Sequence, residues 1–64
     1  MATLYRELSN LLRGVWCRRQ RQGKGSHEIW YSPLTKRTFT VPANLKSHRL
    51  ANEILKQAGL SKAF

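Results

Sequence analysis

The chain has 64 residues, which allows one small domain spanning residues 1–64, and 41% of them are hydrophobic, enough for one compact core. A chain this short cannot build both a core and a deep cofactor pocket, so Rossmann folds, barrels and large clefts are excluded. Twelve Lys and Arg against three Glu give a formal net charge of +9, and so basic a domain is expected to bind a polyanion or an acidic partner.

The first predicted element is an amphipathic helix over residues 3–13. Thr3 is the expected N-cap, and Gly14 stands where a left-handed residue would end the helix. The leucines recur at helical spacing and form one apolar stripe: Leu4, Leu8, Leu11 and Leu12. This helix is expected to bury its leucines and to carry no chemistry.

Three strands are predicted next, over residues 15–22, 27–32 and 37–41, with turns at Gly23–Ser26 and Pro33–Lys36 between them. Pro42 is expected to end the third strand because it has no N–H to donate to a central ladder.

Alternation along the strands divides their side chains between two faces. We expect Ile29 and Tyr31 to face the core together with Phe39 and Val41. Trp30 then lies on the opposite, open face, beside some of the arginines.

A second helix is predicted over residues 47–58, with Ser47 as its N-cap. Gly59 followed by Leu60 is typical of a Schellman ending, in which Leu60 folds back onto Leu55. The predicted order is therefore α-β-β-β-α, an α+β domain with a three-stranded antiparallel sheet and both helices on one face.

The basic residues favour nucleic acid over a membrane surface as the polyanion. Binding to a membrane surface would need a basic amphipathic helix, whereas in this chain several arginines are clustered in a predicted strand. The candidate RNA-binding residues are Arg18, Arg19, Arg21, Lys24, Ser26, Trp30 and Lys46. Trp30 is included because an exposed aromatic ring can stack a base. The alternative is that Trp30 is only a partly exposed residue of the sheet or a contact to a partner protein.

His27 is the candidate catalytic residue. RNA carries its own nucleophile, the 2′-OH, so cleavage without a metal needs only a group that moves protons and cations around the phosphate. His27 with Lys24 and nearby arginines meets that minimum. From the residues alone, the competing interpretation is that His27 is merely exposed to solvent and has no catalytic role.

Several other classes are excluded by composition. One cysteine, Cys17, permits no internal disulfide and, with two histidines, no easy zinc site. Three glutamates are too few for the carboxylate cluster of a two-metal nuclease. No apolar run is long enough to span a membrane. We therefore expect a cytoplasmic protein with no metal, no cofactor and no membrane contact.

Three stretches together carry a family resemblance: GKGSHEI at 23–29, TVP ending at Pro42, and ILKQAGL at 54–60. The chain resembles the HicA family of bacterial toxins over nearly its full length. The resemblance implies a fold similar to double-stranded RNA-binding domains and an mRNA interferase that cleaves RNA without a metal. It implies that His27, the histidine of the GSH element, is catalytic.

The resemblance also implies a cognate HicB-type antitoxin, which covers the toxin and commonly represses the shared operon, so that this chain alone makes no DNA contact. Many family members have a second histidine soon after the VP element, where this chain has Ala43 and Asn44. A subgroup instead has a Lys-Ser-Arg-His run before its last helix, whereas this chain has Lys46, Ser47, His48 and Arg49, with the histidine and the arginine exchanged. The resemblance therefore assigns no role to His48. The alternative hypotheses are a non-catalytic RNA-binding module of the same fold and a basic adaptor whose ligand is an acidic protein.

Overall fold

The computed structural model describes residues 3–64 and has the predicted order α-β-β-β-α. Its elements are α1 (Leu4–Gly14), β1 (Arg18–Gln22), β2 (His27–Ser32), β3 (Arg37–Pro42) and α2 (His48–Gln57). The strands form one antiparallel sheet in the order β1-β2-β3. The predicted α+β fold class is confirmed. No helix within residues 3–64 is both long and apolar enough to cross a membrane.

Helix α1 begins as predicted and ends later than predicted. The side chain of Thr3 accepts a hydrogen bond from the backbone N–H of Arg6 at 3.1 Å, which confirms the N-cap. The prediction that Gly14 is the left-handed residue is wrong, since Gly14 is helical and Trp16 has a φ of 70° instead. The segment from Val15 to residue 17 closes the helix, so β1 starts at Arg18 rather than at residue 15.

Helix α2 has both predicted ends. The Ser47 side chain accepts a hydrogen bond from the backbone N–H of Leu50 at 3.2 Å. Gly59 has a φ of 91°, and the N–H of Leu60 donates to the carbonyl of Leu55 at 2.8 Å. This is the Schellman ending expected from the Gly-Leu pair.

Both helices cover one face of the sheet and share one core with it. The core consists of buried side chains from α1, α2, β2, β3 and the connections between them: Leu8, Leu12, Cys17, Trp30, Phe39, Val41, Leu45, Ala51, Ile54, Leu55 and Ala58. The face without helices is called the open face below; on β2 it carries His27, Ile29 and Tyr31.

The predicted assignment of the β2 side chains to the two faces is wrong. Trp30 is fully buried, whereas Ile29 and Tyr31 are only half-buried and lie on the open face. The cause is the register of β2 with β3, in which Trp30 pairs with Phe39. Since paired residues point to the same side of a sheet, the ring follows Phe39 into the core. Phe39 itself is buried as predicted.

The same register buries Glu28, whose carboxylate is fully partnered. The Tyr5 hydroxyl donates to Oε1 at 2.6 Å, the Trp30 indole N–H donates to Oε1 at 3.0 Å, and Arg19 donates to Oε2 at 3.3 Å. Burial alone would raise the pKa of Glu28, but these three hydrogen bonds outweigh it and lower the pKa below its ordinary value of 4.5. Burial and the bond to Glu28 raise the pKa of Tyr5. The core therefore holds a charged, satisfied carboxylate.

Candidate functional site

His27 is the first residue of β2, and its side chain is exposed. It pairs with Pro42 at the end of β3 and shares the open face with Ile29. Its backbone is held at both ends, because its N–H donates to the carbonyl of Lys24 at 3.1 Å and its carbonyl accepts from the N–H of Gly23 at 2.8 Å. The strand therefore presents the imidazole to solvent from a fixed backbone.

The turn before His27 depends on its two glycines. A Cβ on Gly23 would lie 3.0 Å from the carbonyl oxygen of His27, closer than ordinary packing allows, and Gly25 has a φ of 63°. The Gln22 side chain adds two hydrogen bonds across the turn, to the carbonyls of Gly25 at 2.8 Å and of His27 at 3.2 Å. Lys24 is exposed within this turn. Short polar contacts thus hold the turn in one shape.

Ser26 ties the turn to the loop that follows β3. Its carbonyl accepts from the N–H of Ala43 at 2.7 Å, and its hydroxyl donates to Oδ1 of Asn44 at 3.3 Å. Because Oδ1 is the acceptor in this contact, the N–H₂ group of Asn44 can donate to a ligand. Sequence reasoning did not assign a role to Asn44. The signal was the predicted turn at Pro33–Lys36, which sets His27 opposite Pro42 and so brings the two loops to the same end of the sheet.

A β-bulge places two arginines on the open face. Arg18 pairs with Tyr31 and Arg21 pairs with Ile29, and the register shifts between Arg19 and Arg21. Residues three apart on a regular strand point to opposite faces, so the extra residue of the bulge is what brings Arg18 and Arg21 together. The Arg18 guanidinium lies 6.0 Å from the centroid of the Tyr31 ring, within cation–π range.

Two of the predicted RNA-binding residues are not on the open face. Trp30 is buried, its ring faces Arg13 at 5.6 Å, and its indole N–H is bonded to Glu28, so it cannot stack a base. Arg19 pairs with Trp30 on the helix-covered face and bridges to Glu28 at 3.3 Å. Tyr31 is the aromatic residue that β2 does present on the open face.

The remaining candidates lie in the loop before α2 and at its start. Lys46 is exposed between Asn44 and Ser47. His48 is the first residue of α2, and its ring stacks on that of Phe64 with centroids 6.2 Å apart. The structure therefore gives His48 a packing partner of its own.

The open face is positive and holds no carboxylate among the described residues. The chain has three glutamates; Glu28 is buried on the other face, and Glu7 and Glu53 lie on α1 and α2. Within residues 3–64, no three His, Cys, Asp or Glu side chains are grouped closely enough to hold a metal ion. An anionic ligand would meet only cations and neutral groups around His27, which favours its approach.

Comparison with known proteins identifies the family. No curated protein and no solved structure matched the chain significantly. A family model described as HicA toxin of bacterial toxin-antitoxin matches residues 5–60. This segment includes all three strands, the turn that presents His27, all of α2 and all of α1 except Leu4. Because the match extends over almost the whole chain, this protein belongs to the HicA family of toxins from bacterial toxin–antitoxin systems.

Proposed function

We propose that this toxin is a metal-independent endoribonuclease that cleaves mRNA, with His27 as its acid–base group. The observation that carries the proposal is the placement of His27. Its exposed imidazole follows a fixed turn and lies on a positive face that carries none of the three glutamates. The family match supports a toxin, and the reaction is our inference from the site. Cleavage of mRNA would stop translation and growth.

The proposed reaction uses the RNA's own 2′-OH as the nucleophile. The 2′-oxygen bonds to the adjacent phosphorus while the bond from phosphorus to the 5′-oxygen of the next nucleotide breaks. His27 is the group that takes the 2′-OH proton or delivers a proton to the departing 5′-oxygen; the other transfer goes to or from water. The products are a 2′,3′-cyclic phosphate and a free 5′-OH. DNA lacks the 2′-OH and would not be cleaved.

Charge on the phosphate would be stabilised by the groups next to His27. Lys24 lies in the turn that presents the histidine, and Arg21 pairs with Ile29, the next open-face residue of β2. The Asn44 amide, held by Ser26, adds a neutral donor. Donors fixed before the reaction stabilise developing charge without reorganising, which is their usual contribution to catalysis.

The experiment is cleavage of a labelled single-stranded RNA in excess chelator. We expect cleavage to persist, to leave 2′,3′-cyclic phosphate ends, and to stop at a site where a single 2′-deoxynucleotide replaces the nucleophilic ribose. Cleavage that continues at the deoxy site, or that needs a divalent cation, would overturn the mechanism. RNA binding without cleavage at any site would identify a non-catalytic RNA-binding module instead.

A toxin of this family implies a cognate antitoxin, and we propose that a HicB-type protein neutralises this one by covering the open face. An acidic surface would complement Arg18, Arg21 and Lys24 and would exclude RNA from His27. Hydrogen exchange of the complex should show new protection over residues 18–31. Protection confined to α1, with cleavage still blocked, would indicate an indirect mechanism.

A further inference from the structure

Trp16 occupies a backbone position that normally belongs to glycine. At the end of α1 the N–H of Trp16 donates to the carbonyl of Arg13 at 3.1 Å, and the N–H of Cys17 donates to that of Leu12 at 3.0 Å. This is the hydrogen-bond pattern of a Schellman motif, whose left-handed residue is usually glycine because a side chain is strained there. Here that residue is Trp16, with a φ of 70°.

The strain at Trp16 is not compensated by burial of its side chain. The residue is 83% exposed, whereas its neighbour Cys17 is in the core. In the described part of the chain, the exposed large hydrophobic residues are Leu11, Trp16, Leu34 and Leu50, and Trp16 is the most exposed of them. Backbone strain of this kind clusters at functional sites, and an exposed aromatic ring is available to contact a ligand.

The chain that follows Trp16 leads directly to a cationic and an aromatic side chain on the open face. Arg18 begins β1 two residues later and lies over the ring of Tyr31 on the open face. Tyr31 lies four residues along β2 from His27, a distance of about 13 Å at strand spacing. One RNA strand of a few nucleotides lying along the open face would therefore reach both His27 and the end where Trp16 lies.

We propose that Trp16, with Arg18 and Tyr31, forms a subsite that stacks a base of the RNA a short distance from the cleaved phosphate. Aromatic rings stack bases without regard to sequence, and arginine adds phosphate and cation–π contacts. The subsite takes the role that sequence analysis assigned to Trp30. It rests on the proposed function, because it assumes that RNA crosses the open face.

The test measures binding and cleavage separately. Binding uses the His27→Ala protein and a short single-stranded oligoribonucleotide, so that no cleavage occurs. We expect Trp16→Gly to weaken binding roughly 5- to 150-fold, the range of one base stack, and Trp16→Phe to restore most of it. Trp16→Gly should also raise the Tm, because glycine removes the left-handed strain. Leu50→Ala removes an exposed apolar side chain on α2 and should change neither affinity nor cleavage.

An oligoribonucleotide series with one abasic position locates the stacked base. The parent His27→Ala protein should lose affinity at one position, and the Trp16→Gly variant should lose nothing further at that same position. Equal binding by the Trp16→Gly variant would overturn the subsite while leaving cleavage by His27 standing. Unchanged RNA binding with a weakened antitoxin complex would overturn it in favour of a protein anchor. Absence of any RNA binding would overturn both the subsite and the proposed function.

Discussion

The indole N–H of Trp30 donates to the carboxylate of Glu28 across 3.0 Å, and the two residues lie two positions apart on the buried side of β2. Each residue supplies the hydrogen-bond partner that the other needs when it is buried. The indole N–H would lose a hydrogen bond in an apolar core, and the carboxylate would be costly to bury without donors. With Tyr5 and Arg19 completing the set, a charged side chain is accommodated beneath the helices.

Stability in acid should depend on Glu28. Its pKa is lowered in the folded protein, so its contribution to stability is complete above the ordinary value of 4.5 and is lost as the pH falls through the folded pKa. Glu28→Gln should reduce the free energy of unfolding by about 1–3 kcal/mol near neutral pH, because it leaves an amide N–H₂ group and Arg19 without partners. In urea unfolding, the difference in the free energy of unfolding between this variant and the wild type should become smaller below about pH 4.5. Glu53→Gln, on the exposed side of α2, is the control; a gap that does not change with pH would contradict this account.

Removing the imidazole of His27 should abolish activity and leave the fold intact. His27→Ala is expected to slow RNA cleavage by about 10²- to 10⁴-fold, the usual cost of losing an acid–base group. The side chain is exposed, so the free energy of unfolding should change by less than about 0.5 kcal/mol. His48→Ala is the matched control, with a smaller effect on the cleavage rate. Wild-type cleavage by the His27→Ala protein, or loss of its fold in urea unfolding curves, would remove His27 from the mechanism.

Arg19 and Arg21 should behave differently although they are two residues apart. Arg21 is on the open face, so Arg21→Ala should weaken RNA binding and make the slope of log K against log salt shallower by about 0.7, the value for one phosphate contact on a single strand. Arg19 bonds to Glu28, so Arg19→Ala should leave that slope unchanged and reduce the free energy of unfolding by about 1 kcal/mol. Salt titrations of oligoribonucleotide binding and urea unfolding of both variants test this. An equal loss of slope in the two variants would show that both arginines contact RNA.

Alanine at two glycines should change stability in opposite directions. At Gly23 a Cβ would meet the His27 carbonyl oxygen at 3.0 Å, so Gly23→Ala should distort the turn, slow cleavage and lower the free energy of unfolding by about 1 kcal/mol. Gly14 lies in α1, and a Cβ added there would have no atom within 4 Å. Gly14→Ala should therefore raise the free energy of unfolding by about 0.5–1 kcal/mol and leave cleavage unchanged. Thermal unfolding and cleavage rates of the two proteins measure both effects. A Gly23→Ala protein with wild-type activity would show that the turn need not be rigid.

The error over Trp30 has a simple geometric origin. Alternation separates the β2 side chains into two sets but does not say which set is covered, because a shift of one residue exchanges them. Trp30 and Ile29 are both hydrophobic, so the pattern was ambiguous on its own. The turn at Pro33–Lys36 resolves it, since it sets Ser32 opposite Arg37 and therefore Trp30 opposite Phe39. That pairing was already implied by the strand boundaries predicted from the sequence.

The sequence by itself determined the order of the elements, the caps of both helices at Thr3, Ser47 and Gly59, and the glycine turn before His27. These features depend on residues within one helical turn or one tight turn, where side-chain chemistry acts over a few bonds. Tertiary structure alone decided the rest. Only the β-bulge places Arg18 and Arg21 on the face of His27, and only strand pairing brings Asn44 to Ser26 and Arg19 to Glu28. These arrangements depend on the bulge and on side chains of different elements meeting across the sheet, and neither helix caps nor alternation within one strand specify them.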